Sequence, residues 1–135
     1  AEGDTICVMA GGLDPPFPPE NRELWSQLLD YPRAVFVSEA PFGTRASALT
    51  LRKRNKLIVS FAEGVLVGQS SDKGGAMNAY RFALEQHKPV ATFDSDGIRD
   101  TSGNTTIKQT SKVPATTFTL NRSDRFAWDH WLAQL

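Results

Sequence analysis

Four short apolar runs, each followed by a polar loop rich in Gly, Pro or Ser, constrain the fold of this 135-residue chain more than any other feature. They are "TICVM" at 5–9, "AVFVS" at 34–38, "GVLVG" at 64–68 and "PVATF" at 89–93. Each is too short for a helix and rich in β-branched residues. None alternates between polar and apolar, so strands covered on both faces are expected, as in a parallel sheet. Helical patterns lie between them, at about 21–29, 51–61 and 75–86. In the last of these, Met77, Tyr80, Ala83 and Leu84 fall on one stripe suited to burial. Strand and helix in alternation predict a doubly wound, mainly parallel α/β sheet with right-handed crossovers. The length suits a single domain spanning 1–135.

On such sheets ligands gather where the strands end at their carboxyl edge. The loops expected there are "AGGLDPPFPPEN", "EAPFGTRASALT", "QSSDKGG" and "DSDGIRDTSGN". Beyond residue 101, "TSGNTTIKQTSKVPATTFTLN" predicts a short helix and then a strand near 116–120. The terminal "RSDRFAWDHWLAQL" reads as a helix capped by Ser123. Its Phe126, Trp128, Trp131, Leu132 and Leu135 either dock on the chain's own sheet or form a dimer interface.

Charge narrows the choice of ligand. The formal net charge is zero, yet residues 1–39 hold seven acids against two bases, and residues 40–62 hold five bases and no acid. Those five are Arg45, Arg52, Lys53, Arg54 and Lys56, with Asn55 among them. A local field steers an anion even on a neutral protein. A helix beginning at residue 51 would put Arg52, Lys53 and Arg54 in its first turn, where the helix dipole disfavours cations unless an anion binds. A phosphate site and a solvated face are both consistent with this segment. Leu57, Ile58 and Phe61 would hold the helix to the sheet.

Other constellations carry less. "DKGGAMN" offers Lys73, Gly74, Gly75 and Ala76 between a strand and a helix, either as a phosphate-approaching backbone or as a plain turn. It lacks both G-x-G-x-x-G and a Walker lysine motif. Asp94, Asp96 and Asp100 are ordinary turn residues as well as candidate acids. The one cysteine, Cys7, sits in an apolar strand run, and His87 and His130 are far apart, so neither a disulfide nor a metal site is expected. "PPFPP" at 15–19 stiffens a loop or mimics a polyproline ligand. No apolar run approaches the roughly 20 residues of a membrane helix. The N-terminus carries acids where an export signal carries cations, which predicts a cytoplasmic protein.

In order along the chain, these segments resemble the DNA-processing protein A family (DprA, also called Smf). That family lies within the Rossmann-like nucleotide-binding folds that also include the LOG phosphoribohydrolases. "TICVMAGGLDPPFPPEN" resembles its strand followed by G-L-D, Tyr-Pro and Asn, with Phe17 where Tyr is usual. "SEAPFGT" resembles its S-E-x-P-x-G-T turn, and "RKRNKLIVSFAEGVLVGQSSDKGGAMNAYRFALEQHKPVATF" its R-N-R-I-I-A to A-L-E-Q run. "SGNTTIK" is similar to its G-x-N-x-L-I segment. Three positions depart from the pattern. Leu51 stands where an aromatic is usual, Arg52 where Pro is usual, and Gln69 where Glu is usual. The family's preceding half, with G-S-R and S-G-G-A-x-G-I-D segments, has no counterpart here, so a shortened domain is expected.

The resemblance implies a non-enzymatic module that binds single-stranded DNA during DNA uptake or recombination and helps load a RecA-type recombinase, with no cofactor. It places the binding residues at Gly43, Thr44, Arg45, Arg52, Lys53, Arg54, Asn55, Lys56, Lys73, Gly74, Gly75 and Ala76. A truncated sheet edge favours a homo-oligomer. The alternatives are a nucleotide-binding protein or a LOG-like nucleoside-monophosphate hydrolase. The latter would require P-G-G-x-G-T-x-x-E, of which "DKGGAMNAY" supplies only the glycines.

Overall fold

The computed structural model describes residues 3–14, 17–94, 97–110, 115–118, 125–133 and 135. The strands are β1 (Thr5–Val8), β2 (Ala34–Val37), β3 (Val65–Val67), β4 (Val90–Phe93) and β5 (Ala115–Phe118). The helices are α1 (Arg22–Leu29), α2 (Ala48–Phe61), α3 (Ala76–Glu85), α4 (Ser102–Thr110) and α5 (Arg125–Leu132), and a single 3-10 turn, Pro19–Asn21, precedes α1. Contacts divide the chain into two compact units, Ala1–Leu57 and Ile58–Leu135. Among the described residues every strand pairing is parallel, giving a Rossmann-like α/β fold. The strands pair as two sheets, β1–β2 and β3–β4–β5, where one continuous sheet was expected.

In the first unit β1 and β2 run in register from Thr5 opposite Ala34 to Val8 opposite Val37. Between them α1 makes the crossover, and Trp25 packs on Phe36 with ring centroids 4.5 Å apart. On the other face the first pair is open: Ile6 and Val35, register partners, are 53% and 57% exposed, while Val8 and Val37 on the same face are half-buried. The expectation of two covered faces is therefore met only at the carboxyl-terminal end of this sheet.

The second unit meets that expectation in its middle strand. β4 lies between β3 and β5, and Val90, Ala91 and Thr92 are fully buried. Three of the four residues of the expected α3 stripe, Met77, Tyr80 and Ala83, are buried against Val59, Val67, Val90 and Ile107, and Leu84 is half-buried beside them. The α2 anchor differs from expectation. Val59 is fully buried in the cluster with Met77, Tyr80 and Ile107, while Ile58 and Phe61 are exposed. Lys88 closes the end of α2 by donating to the Ser60 carbonyl at 3.0 Å and to the Ala62 carbonyl. The terminal helix docks on its own unit. Trp131 is buried against Ala91, and Trp128 meets Phe93 edge-on at 6.0 Å, while Phe126 and Leu132 stay exposed. Ser123, the expected cap, lies outside the described residues. No helix among the described residues is long and apolar enough to cross a membrane.

Candidate functional site

The first unit builds a rigid corner from two loops. A Cβ on Gly11 would sit 2.5 Å from the Thr44 carbonyl oxygen, and one on Gly12 would sit 2.5 Å from that of Pro41. The glycines after β1 thus let the loop after β2 approach closely. Hydrogen bonds then lock the two loops together. The Gly12 N–H donates to the Thr44 carbonyl at 2.9 Å, and the Ser38 hydroxyl to the Gly11 carbonyl at 2.6 Å. Both Asp14 carboxylate oxygens accept the Gly43 N–H, at 2.7 and 2.8 Å. Residues 41–44 form a tight turn in which Thr44 N–H meets the Pro41 carbonyl at 3.2 Å. Gly43 has φ +76° at its third position, the conformation that a type II turn demands.

Helix α2 begins with a reciprocal cap. The Thr50 N–H donates to the Ser47 hydroxyl at 3.2 Å, and the Ser47 N–H to the Thr50 hydroxyl at 2.8 Å. This is the logic of a capping box, with Thr in place of Glu. Because the helix starts at Ala48 and not at 51, Arg52, Lys53 and Arg54 lie in its second turn. The dipole argument drawn from a first-turn position therefore does not apply to them, since that effect fades beyond the first turn.

Helical phase gives the segment its direction. Thr50, Lys53, Arg54 and Leu57 follow the i, i+3, i+4, i+7 spacing of one helix face. All four, with Lys56, line a cavity of about 490 Å³. Its other walls come from Met9 and Ala10, just past β1, and from Glu39, Ala40, Pro41 and Thr44, past β2. The cavity thus sits at the carboxyl ends of both strands of this unit.

Arg54, Lys53 and Glu39 on its wall are left uncommitted. Arg54 is half-buried, its Nε is buried without a hydrogen-bond partner, and desolvation holds its guanidinium below the usual value. Arginine nevertheless stays charged in proteins. The Lys53 ammonium and the Glu39 carboxylate make no hydrogen bond or ion pair with the described residues. Opposite charges thus line one hollow without pairing across it, which leaves room between them for a ligand carrying both a phosphate and hydrogen-bond donors.

Of the twelve expected site residues, Thr44, Lys53, Arg54 and Lys56 come together on this cavity. Gly43 shapes the turn, and its N–H is already held by Asp14. Arg45 and Arg52 are exposed and Asn55 is half-buried, outside the lining. Lys73, Gly74, Gly75 and Ala76 belong to the second unit. There Gly74 has a packing role, since a Cβ would fall 2.3 Å from Ser70 Oγ, whereas Gly75 faces open space and Lys73 is exposed.

Sequence reasoning passed over Glu39 and Asp14, although both stand in loops placed at the ligand edge. It also missed Asn104, the clamp of the second unit. The Asn104 side chain accepts the Ser70 N–H at 2.9 Å and donates to the Gly68 and Phe93 carbonyls, each at 3.1 Å. Beside it is a smaller hollow of about 370 Å³ whose lysine, Lys108, is paired with Asp94. Among the described residues no group of three or more His, Cys, Asp or Glu could hold a metal ion.

Parallel strands with βα crossovers and an open corner at their carboxyl ends define the class: Rossmann-like α/β proteins. Within it, the model of the DNA recombination-mediator protein A family matches residues 1–121, and the chain belongs to that family. It is similar to Protein Smf of Synechocystis sp., 30% identical over 102 residues, which is 75% of this chain and 25% of that protein. Against DNA processing protein DprA of Bacillus subtilis it is 34% identical over 90 residues, 67% of this chain and 30% of the relative. The chain therefore spans between a quarter and a third of these curated relatives.

Two solved structures share the fold. DNA processing protein A from Helicobacter pylori, described for its single-stranded DNA binding mode, matches with TM-score 0.77 at 18% identity, covering 96% of this chain and 57% of that one. DprA from Streptococcus pneumoniae matches with TM-score 0.67 at 22% identity, covering 84% and 39%.

Proposed function

We propose that this chain is a non-enzymatic, cytoplasmic module that binds single-stranded DNA during DNA uptake or recombination. The observation that carries this reading is Arg54, whose buried Nε lacks a partner on the wall of a cavity that also holds Lys53. Buried polar groups are almost always satisfied, and a buried donor without a partner is costly. A phosphate oxygen is the partner that a guanidinium matches best. Family membership supports the same reading, as does the fold shared with a Helicobacter pylori protein described for binding single strands. In this reading Lys73 adds a separate phosphate contact and the strand is delivered to a RecA-type recombinase, which the family's description as a recombination mediator supports. Self-association belongs to the same proposal, because it would cover Ile6 and Val35.

The test is a titration of labelled oligo-dT against the chain and against the Lys53→Ala/Arg54→Ala double variant, at about 50 mM and about 200 mM salt. Binding should weaken steeply with salt. The double variant should bind at least about tenfold more weakly at low salt, with a salt slope shallower by about 1.4, from about 0.7 per neutralised phosphate on single strands. Absence of oligo-dT binding at low salt, together with saturable binding of a mononucleotide, would overturn the DNA reading in favour of a nucleotide-binding one.

A further inference from the structure

Phe42 is 76% exposed at the tip of the 41–44 turn. Scattered exposed apolar residues are normal on a protein surface and ask for no explanation by themselves. Two features set this one apart. The first is its mounting. The turn is closed by the Thr44-to-Pro41 hydrogen bond, held through Gly43 by both oxygens of Asp14, and tied through Thr44 to Gly12. The Phe42 Cα lies 3.0 Å from where a Cβ on Gly12 would stand, so the backbone beneath the ring is wedged against the neighbouring loop. With the turn backbone already fixed, stacking a ligand on the ring has to order only the ring's own rotamers.

The second feature is place. Pro41 and Thr44, at the two ends of the turn, both line the cavity that holds Lys53 and Arg54. An aromatic face beside unpaired cations is the combination by which single strands are held without regard to sequence, with charge for the backbone and stacking for the bases.

We propose that Phe42 is a stacking platform for one nucleobase of a strand whose phosphates lie in the Lys53–Arg54 cavity. This rests on the proposed binding of single-stranded DNA. A base seated on the ring places its sugar-phosphate at the turn, within the field of the α2 cations. Because every base has a π-face, the platform discriminates bases from an abasic backbone and does not discriminate one base from another.

The experiment compares wild type, Phe42→Ala and Phe42→Tyr on oligo-dT and on an abasic oligomer of the same length. Phe42→Ala should bind oligo-dT about tenfold more weakly. Its salt slope should be unchanged, because removing a neutral ring releases no counterions. Phe42→Tyr should bind like wild type, and the abasic oligomer should bind wild type and Phe42→Ala equally weakly. The exposed ring carries no core packing, so the thermal midpoint of Phe42→Ala should match wild type. Equal affinity of wild type and Phe42→Ala for oligo-dT would overturn the platform alone, leaving the strand-binding reading intact. Failure of wild type itself to bind oligo-dT at low salt would overturn both.

Discussion

At the carboxyl ends of β1 and β2, Lys53, the Arg54 Nε and Glu39 face a cavity and make no bonds across it. At the carboxyl ends of β3 and β4, Asn104 fills the corresponding corner and spends both its oxygen and its nitrogen on the backbone of three residues. The hollow beside it has a lysine as well, but Asp94 neutralises that charge. Glycines serve the two corners in opposite ways. Gly11 and Gly12 bring two loops together to frame an opening, whereas Gly74 and Gly103 let side chains and carbonyls close one. One local geometry, a strand feeding a helix through a polar loop, therefore yields a site or a structural joint. The difference is whether its polar groups find partners within the chain.

The sharpest way to break this contrast is to open the closed corner. Asn104→Ala would strip partners from the Ser70 N–H and from the Gly68 and Phe93 carbonyls, at a site where Asn104 is 1% exposed. Of the three contacts only that to the Ser70 N–H is fully buried, and orphaning a buried backbone group costs about 1–3 kcal/mol, so a loss of roughly 2 kcal/mol is expected. Urea denaturation should show it as a lower midpoint. A variant as stable as wild type would mean that the second corner is not a joint. The open corner should respond in the reverse sense: Lys53→Ala/Arg54→Ala should lower strand affinity while leaving stability close to wild type, because neither side chain makes an ion pair that folding depends on.

The same contrast explains what the sequence shows and what it hides. Strand and helix positions are legible to within a few residues, because β-branched runs and the Met77–Tyr80–Ala83 stripe reflect local physics. The start of α2 is not legible from charge. Ser47 and Thr50 set it by hydrogen-bonding each other, and that reciprocal cap moves the basic cluster out of the first turn. Quoted motifs locate the open corner, since "SEAPFGT" and the basic segment both contribute to it. They do not say which of its residues face inward. Helical phase selects Lys53 and Arg54 over Arg52 and Asn55, and which face turns inward is set by tertiary packing that the charge pattern does not report. Nor do they separate Gly74, fixed by the nearby Ser70 hydroxyl, from a glycine kept open for a ligand, because that distinction rests on residues four apart meeting across a turn.

A smaller effect sharpens the account of the open corner. Glu39 is the acid on the cavity wall, and it opposes a phosphate there while suiting the amino or imino donors of a base. Glu39→Gln keeps the shape and removes the charge. Affinity for oligo-dT should rise by about threefold at low salt, in line with a modest repulsion at a solvent-exposed site, and the gain should shrink as salt screens it. A fall in affinity would mean that Glu39 chiefly receives a base rather than repelling a backbone.

The smallest expected effect belongs to the closed corner and depends on pH. Asp100 accepts the Ser102 hydroxyl at 2.7 Å and its N–H at 3.0 Å, and these bonds hold its carboxyl below the usual range. Ser102 in turn receives the Asp72 N–H, whose side chain receives the Thr106 hydroxyl, so the network ties the start of α4 to the loop after β3. A carboxyl with a lower value folded than unfolded binds fewer protons when folded. Its contribution to stability is therefore present above the unfolded value of about 3.9 and is lost as pH falls through the folded one. Thermal midpoints of wild type and Asp100→Asn should accordingly differ slightly near neutral pH and converge in acid. A gap that widens on acidification would place the acid-sensitive group elsewhere and leave the closed corner held by Asn104 without help from Asp100.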